Sequence, residues 1–141
     1  MSDFEKILVP LDGSEYSLHA LEKAVQIAKK FDGRITLINV YSVSSFNVNP
    51  SQVFAYVLEI RKSGELILSE GKKIVKVEGL QVETFLKEGH IVEEILKMAR
   101  EGNFDLIVIG AKGISRLKEI LLGSVSHGVT TYAPCPVLIV K

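Results

Sequence analysis

Tryptophan is absent from the sequence, and cysteine occurs once among its 141 residues. The single cysteine, Cys135, excludes an internal disulfide and the cysteine-paired zinc patterns, and it fits a reducing cytoplasm. The chain also carries no net charge, because 17 basic residues balance 17 acidic ones. The broad positive field that is typical of nucleic-acid binding is therefore not expected. No apolar run reaches the length of a signal peptide or a membrane span. We therefore expect a cytoplasmic protein with no nucleic-acid or membrane partner.

The composition is that of a folded domain. Hydrophobic residues make up 47% of the chain and charged residues 24%, and the length suits one core, so we expect a single domain over residues 1–141. His19, His90 and His127 lie far apart and share no metal-ligand spacing, so no metal site made of protein ligands is expected. We interpret Cys135, between two prolines, as a packing residue rather than a nucleophile.

Strand-like and helix-like apolar periods alternate along the chain. The strand pattern occurs at residues 7–9, 34–41, 81–87, 104–109 and 136–140, and helical patterns lie between these runs. The first helix is expected to begin after an N-cap at Ser14 and to end at Asp32 and Gly33. Several strands are apolar at nearly every position, as strands buried on both faces are. The pattern predicts an α/β fold, a doubly wound, open, five-stranded parallel sheet with helices on both faces and right-handed crossovers.

Two glycines lie on the buried stripe of the long second helix. Gly64 and Gly71 each weaken a helix by roughly 1 kcal/mol relative to alanine. We therefore expect close packing against this helix at both positions.

Two segments are predicted to meet where the winding of the sheet reverses, which is where open parallel sheets bind ligands. Pro10, Leu11 and Asp12 follow the first strand, and a glycine-rich loop over residues 110–126 follows the fourth. If these two strands are neighbours, Asp12 faces the loop across one crevice. Asp105 lies at the opposite end of its strand, and we interpret it as a solvated strand-start residue.

The glycine-rich loop has the features of a phosphate site. Gly110 and Gly113 permit close approaches, and Gly123 with Ser124 opens a helix whose first amides are unpaired and carry partial positive charge. The hydroxyls of Ser124 and Ser126 are candidate donors, and Lys112 and Arg116 are candidate neutralising charges. The same spacing also fits an ordinary loop in which Ser124 is a helix N-cap. Neither a P-loop nor a dinucleotide fingerprint is present: GELILSEGKK has six residues between its glycines, and the first turn reads PLDGSE.

The spacing of Gly110, Gly113, Gly123 and Ser124 matches G-x2-G-x9-G-[ST], the motif of the ATP-binding subgroup of the universal stress proteins. The chain resembles this family over its whole length. ILVPLDGSEYSLHALEKA is similar to the family's first strand and helix, and LLGSVS with APCPVLIV is similar to its closing signature. The resemblance implies the adenine nucleotide alpha hydrolase-like fold of the family and a bound ATP. It also implies a divalent ion, Mg²⁺ or Mn²⁺, that is carried by the phosphates rather than by protein carboxylates.

The resemblance also implies which residues bind the nucleotide. Asp12 would bond a ribose hydroxyl near Pro10, Val40 would contact adenine through its backbone, and the glycine loop would surround the ribose and phosphates. Ala111 stands where the family commonly has Ser or Thr, so one hydroxyl is lost. No catalytic residue is implied. The full cofactor-binding set is Pro10, Leu11, Asp12, Val40, Ile109, Gly110, Lys112, Gly113, Gly123, Ser124, Val125 and Ser126.

The function expected from these observations is a nucleotide-dependent regulator or sensor in the stress response, with a protein partner still unknown. ATP would order the 110–123 loop and the 42–50 segment. The last strand, which begins at Pro136 and ends at Val140, is an apolar edge, and the family resemblance implies a homodimer in which two such strands meet antiparallel. Coverage of that edge by the chain's own loops is the alternative. Two other functions stay open: a weak ATPase or phosphotransferase that uses the same crevice, and a nucleotide-free dimeric interaction module.

Overall fold

A computed structural model describes residues 3–43, 49–113 and 122–141. Within these residues strands and helices alternate, as predicted. They are β1 (Lys6–Pro10), α1 (Glu15–Phe31), β2 (Arg34–Tyr41), α2 (Pro50–Val77), β3 (Val82–Glu88), α3 (Ile91–Glu101), β4 (Leu106–Gly110), α4 (Ser124–Tyr132) and β5 (Val137–Val140).

The strands form one parallel sheet in the order β3-β2-β1-β4-β5. β1 lies at the centre, with β2 on one side and β4 on the other. The chain winds from β1 outward to β3 and then returns to the centre to build β4 and β5. The predicted doubly wound sheet is therefore confirmed, and so is the switch point between β1 and β4.

Both faces of the sheet are covered by helices. Alternate side chains of a strand point to opposite faces. Val9 of β1 belongs to one apolar core with α1 and α2, whereas Leu8 belongs to a second core with α3 and α4. The central strands are consequently buried on both sides, which explains their continuous apolar sequence.

The ends of α1 follow the predicted caps. The Ser14 hydroxyl accepts a hydrogen bond from the Ser17 amide, and Asp32 closes the helix in the left-handed region with φ 55°. The start of α4 differs from one of the two interpretations above. Gly123, not Ser124, is the N-cap, and it has no side chain with which to cap the helix.

The glycines of α2 lie where the helix approaches its neighbours, as predicted. A Cβ added at Gly64 would lie 2.6 Å from Asn39 Oδ1 and 2.7 Å from Leu86 Cδ1. A Cβ at Gly71 would lie 2.7 Å from Leu11 Cδ1. The absence of a side chain at these two positions therefore allows the close packing. The packing offsets the propensity cost of glycine in a helix.

Asp105 is not the solvated residue that the sequence suggested. Its carboxylate is half-buried and accepts a hydrogen bond of 2.9 Å from the Lys6 amide, while its own amide donates to the Lys6 carbonyl at 2.8 Å. Asp105 thus joins the start of β4 to the start of β1.

In the described part of the chain, no helix combines the length and apolarity needed to cross a membrane.

Candidate functional site

A cavity of about 540 Å³ opens at the carboxyl end of the sheet, at the switch point. Its volume lies within the range of roughly 300–1,000 Å³ that is typical of small-ligand sites. The structure brings together there the whole predicted cofactor-binding set, and each of its members lines the cavity: Pro10, Leu11, Asp12, Val40, Ile109, Gly110, Lys112, Gly113, Gly123, Ser124, Val125 and Ser126. That these residues hold a nucleotide stays a prediction.

The turn after β1 is held from two directions by β2. The Leu11 amide donates to the Ile38 carbonyl at 2.9 Å, and the Leu11 carbonyl accepts from Asn39 Nδ2 at 2.8 Å. Asp12 comes next and is exposed. Its Oδ1 accepts from the Ser14 amide at 2.9 Å and from the Ser14 hydroxyl at 2.5 Å. These local bonds position the carboxylate and use only one of its two oxygens.

The two glycines at the start of the loop make close approaches to different neighbours. A Cβ added at Gly113 would lie 2.7 Å from Asp12 Oδ2, so the second carboxylate oxygen faces the loop across the crevice. A Cβ added at Gly110 would lie 2.7 Å from the Tyr16 carbonyl carbon. Gly113 therefore lies in the crevice itself, next to the Asp12 carboxylate. Gly110, in contrast, is required by the packing of β4 against α1.

The far end of the loop returns to the Ala111 carbonyl. That carbonyl accepts a bond of 2.7 Å from the Gly123 amide and another of 2.7 Å from the Ser126 hydroxyl. Ser126 is buried, and its hydroxyl proton is directed at Ala111, contrary to the idea that it donates to a phosphate. The first turn of α4 nevertheless lines the cavity with no side-chain cap, so its amides present partial positive charge there.

Charge in the crevice is sparse. Among the described residues that line it, Lys112 is the cation and Asp12 the anion. Arg116 lies outside the described residues, as do the middle of the 110–123 loop and residues 44–48 of the 42–50 segment. No group of three or more His, Cys, Asp or Glu side chains suited to a metal ion occurs in the described ranges.

On the side of the cavity that β2 forms, this strand extends beyond the end of β1. Pairing with β1 ends at Ile38, whereas pairing with β3 continues to Tyr41. The Ile38 carbonyl faces β1, where it accepts from Leu11, and the Tyr41 carbonyl faces β3, where it accepts from Gly89. Because backbone groups alternate sides along a strand, Val40 directs its N–H and C=O toward the space that β1 has left. This donor–acceptor pair fits the predicted backbone contact at Val40.

The universal stress protein family model matches residues 3–141. The chain belongs to the universal stress protein family. The universal stress protein YxiE of Bacillus subtilis (strain 168) is 38% identical over 147 residues, which cover 98% of this chain and 99% of YxiE. Among solved structures, the universal stress protein UspA from Lactobacillus plantarum is 25% identical with a TM-score of 0.87 and 98% coverage of both chains. A universal stress protein in complex with cAMP is 28% identical, with a TM-score of 0.76 and 99% coverage of both chains.

The cavity of this universal stress protein is also lined by residues that the sequence did not single out. They are Ser17, Ile38, Asn39, Tyr41, Ile60, Ser63, Ile91 and Ile95. Most are apolar, and α2 and α3 supply half of them. The apolar stripe of α2 was recognised in the sequence as a buried face. That stripe contains no signal that the part of α2 around Ile60 and Ser63 faces a cavity instead of the sheet.

Tyr41 joins α2 to the wall of the crevice. The Tyr41 side chain is buried, and its hydroxyl accepts a hydrogen bond of 3.0 Å from Arg61 Nη1 on α2. The bond ties the end of β2 to the helix turn that carries Ile60 and Ser63. It therefore supports the wall of the cavity that β2 and α2 form.

Cys135 lies outside the crevice and packs among the residues of the α3–α4 core. Burial raises the pKa of its thiol, and the negative charge of Asp105 raises it further. A raised pKa keeps the sulfur in its protonated, poorly nucleophilic form. The structure thus fits the interpretation of Cys135 as a packing residue.

Proposed function

We propose that this universal stress protein binds ATP in the crevice and acts as a nucleotide-dependent regulator or sensor in the stress response. One observation carries the proposal. The uncapped first turn of α4 and the outward backbone pair of Val40 lie on the walls of a single cavity of about 540 Å³. The similar structure in complex with cAMP supports an adenine nucleotide as the ligand.

The base is assigned to the Val40 end. Adenine carries an acceptor nitrogen beside its amino group, which matches one backbone N–H and one C=O. Ile38, Ile60 and Ile109 line the cavity and supply an apolar environment for the ring faces. The ribose then lies near Asp12, where Oδ2 is the oxygen that the local hydrogen bonds do not use.

The phosphates are assigned to the α4 end. The amides of Ser124 and Val125 and the Lys112 ammonium group are the positive groups for them. A Mg²⁺ or Mn²⁺ ion is carried by the phosphates and water, because Asp12 is the one carboxylate among the described lining residues. Ligand contacts at residues 110–113 and 122–126 favour one arrangement of the loop, and this differential affinity is the basis of regulation.

A homodimer through β5 completes the proposal. Within the described chain β5 is an edge strand, and its four residues, Val137–Val140, are all partly exposed. An apolar, unpaired edge favours pairing with a second copy. Pro136, included in the predicted strand, lies just before β5 and donates no backbone N–H.

The test is to denature freshly purified protein and identify released nucleotide by mass spectrometry. We expect ATP at close to one per chain. ATP added to nucleotide-free protein at about 100 times its dissociation constant is expected to stabilise the fold by about 2.7 kcal/mol, and GTP at the same concentration by much less.

Hydrogen exchange supplies the second readout. The amides of Gly113 and of residues 122–126 are expected to exchange more slowly with ATP than without it. If no nucleotide is released and ATP leaves both the melting temperature and exchange unchanged, the nucleotide-free interaction module becomes the better interpretation.

A further inference from the structure

A second, smaller cavity of about 250 Å³ lies between α1 and α2, on the outer side of the turn that follows β1. Leu21, Ile67 and Ile74 form its apolar wall, and Glu15 and Glu70 supply its carboxylates. We call it the α1–α2 groove. Leu18, which is 40% exposed, also lines it, so apolar surface in the groove reaches solvent.

We propose that the α1–α2 groove is a docking site for a partner protein segment that inserts one apolar side chain and places a Lys or Arg beside it. The volume of the groove supports the insertion of one apolar side chain. A cavity of about 150 Å³ lined by aliphatic side chains is enough to bind benzene. A groove of 250 Å³ therefore accommodates a phenylalanine or leucine side chain with part of its backbone.

The charges around the groove support a Lys or Arg on the partner, beside the inserted side chain. Glu15 and Glu70 line the groove, and no Lys or Arg does so among the described residues. Lys72 and Lys73 follow Glu70 on α2, but at 100° per residue they lie off the face formed by Ile67, Glu70 and Ile74. A cation on the partner is attracted by both carboxylates, whereas an anion at the same place is repelled. The groove thus selects for a basic neighbour of the inserted side chain.

The groove and the crevice share part of their walls. Leu11 and Ser17 line both cavities. A chain of hydrogen bonds also joins them: Asp12 Oδ1 accepts from the Ser14 hydroxyl, which in turn accepts from the Ser17 amide. On α2, Ser63 lines the crevice, and Ile67, one turn later, lines the groove.

These shared walls predict that occupancy of either cavity changes the affinity of the other, and by the same factor in both directions. This coupling rests on the proposed function; docking in the groove does not. The groove would thereby connect the nucleotide state of the crevice to a partner.

The test is an NMR titration of the full chain, labelled with ¹⁵N, with the dipeptide acetyl-Phe-Arg-amide. We expect saturable shifts at the amides of Gly13, Leu18 and Gly71. Acetyl-Phe-Glu-amide serves as the matched anionic probe, and it is expected to bind at least about fivefold more weakly, since exposed charge pairs contribute factors of this size. Repeating the titration with saturating ATP is expected to change the affinity by about twofold or more, a small coupling on the usual scale.

Variants supply the controls. Glu15→Gln with Glu70→Gln is expected to weaken acetyl-Phe-Arg-amide by about two- to fivefold. Glu22→Gln with Glu65→Gln removes two exposed carboxylates outside the groove and is expected to leave the affinity unchanged. Equal binding of the two dipeptides, or no saturable shifts at the groove, would overturn docking. Groove binding unaffected by bound ATP would overturn only the coupling, and failure of ATP to bind would overturn the proposed function while leaving the dipeptide result intact.

Discussion

Asp12 shows how one side chain can hold its own turn and face the crevice at the same time. Its Oδ1 binds the first turn of α1 through Ser14, and its Oδ2 faces Gly113. The two oxygens therefore have separate roles, and substitutions can separate them.

Asp12→Asn keeps an oxygen that can accept from Ser14 but replaces the second oxygen by an NH₂ group, which cannot accept from a ribose hydroxyl. We expect stability to change by less than about 0.5 kcal/mol and the affinity for ATP to fall by about tenfold, the effect of one lost charge-assisted hydrogen bond. Asp12→Ala removes both oxygens and is expected to cost about 1 kcal/mol of stability in addition. Calorimetric titration with ATP and urea unfolding measure the two quantities. Wild-type affinity in Asp12→Asn would contradict the assignment of Oδ2 to the ribose.

Single residues of the site differ in how well the sequence predicted them. Asp12 and Gly113 were predicted because a glycine-rich loop and a strand-end acid are local patterns. Asn39 was not, because its partner is the Leu11 carbonyl, 28 residues earlier, and no local pattern signals that contact. Ser126 was predicted to line the crevice and does so, but the direction of its hydroxyl depends on the position of Ala111.

At the scale of elements, α2 packs directly against β2 and β3 of the sheet. Its glycines let the helix approach Asn39 and Leu11, which are the residues that hold the turn before Asp12. The packing of α2 is therefore connected to the geometry of the crevice.

Gly64→Ala is expected to destabilise the fold by about 1–2 kcal/mol, although alanine is the better helix former by about 1 kcal/mol. The new methyl group would lie 2.6 Å from Asn39 Oδ1, and the Asn39 amide is held in place by its bond to Leu11. Ser69→Ala, at an exposed position of the same helix, is the control and should change stability by no more than about 0.5 kcal/mol. Urea unfolding of both variants measures the difference. A Gly64→Ala protein more stable than the wild type would show that propensity outweighs packing here.

The order and type of the elements followed from periodicity, but their ends depended on three-dimensional contacts. The cap at Ser14 was predicted correctly because a serine before an apolar period is a strong local signal. At α4 both Gly123 and Ser124 were compatible with the sequence. The structure places Gly123 at the cap, where its amide donates to the Ala111 carbonyl across the loop.

At the scale of the whole molecule, the direction of the backbone groups of β5 decides what its edge can do. The Pro136 carbonyl accepts from Ile107 of β4, and the Val140 carbonyl accepts from Ala111, which directly follows β4. Because backbone groups alternate sides along a strand, Leu138 also faces β4, and Val137 and Ile139 direct their N–H and C=O outward. A second copy in antiparallel orientation would pair with these two residues.

Ile139→Pro removes one outward N–H and leaves the bonds to β4 in place, since proline is tolerated on the free side of an edge strand. Wild-type protein is expected to be a dimer and Ile139→Pro a monomer in sedimentation equilibrium. Ile139→Ala loses the same half-buried side chain but keeps the N–H, so it should remain dimeric. A dimeric Ile139→Pro protein would place the interface elsewhere, and a monomeric wild type would contradict the homodimer.

The global arrangement was the most predictable part, because buried parallel strands and right-handed crossovers leave few ways to order five strands. The full extent of the crevice was the least predictable. Its walls include Ile60 of α2 and Ile91 of α3, and their position depends on how each helix docks on the sheet. Apolar periodicity indicates which face of a helix is buried but not what that face meets.

The extension of β2 past β1 directs the main-chain groups of Val40 toward the crevice. Every amino acid except proline carries the same N–H and C=O groups as Val40. The proposed contact with the base therefore sets little constraint on the identity of residue 40. Two members of the family that bind the same base need not have the same residue at this position. A difference there is therefore no evidence that they bind different ligands.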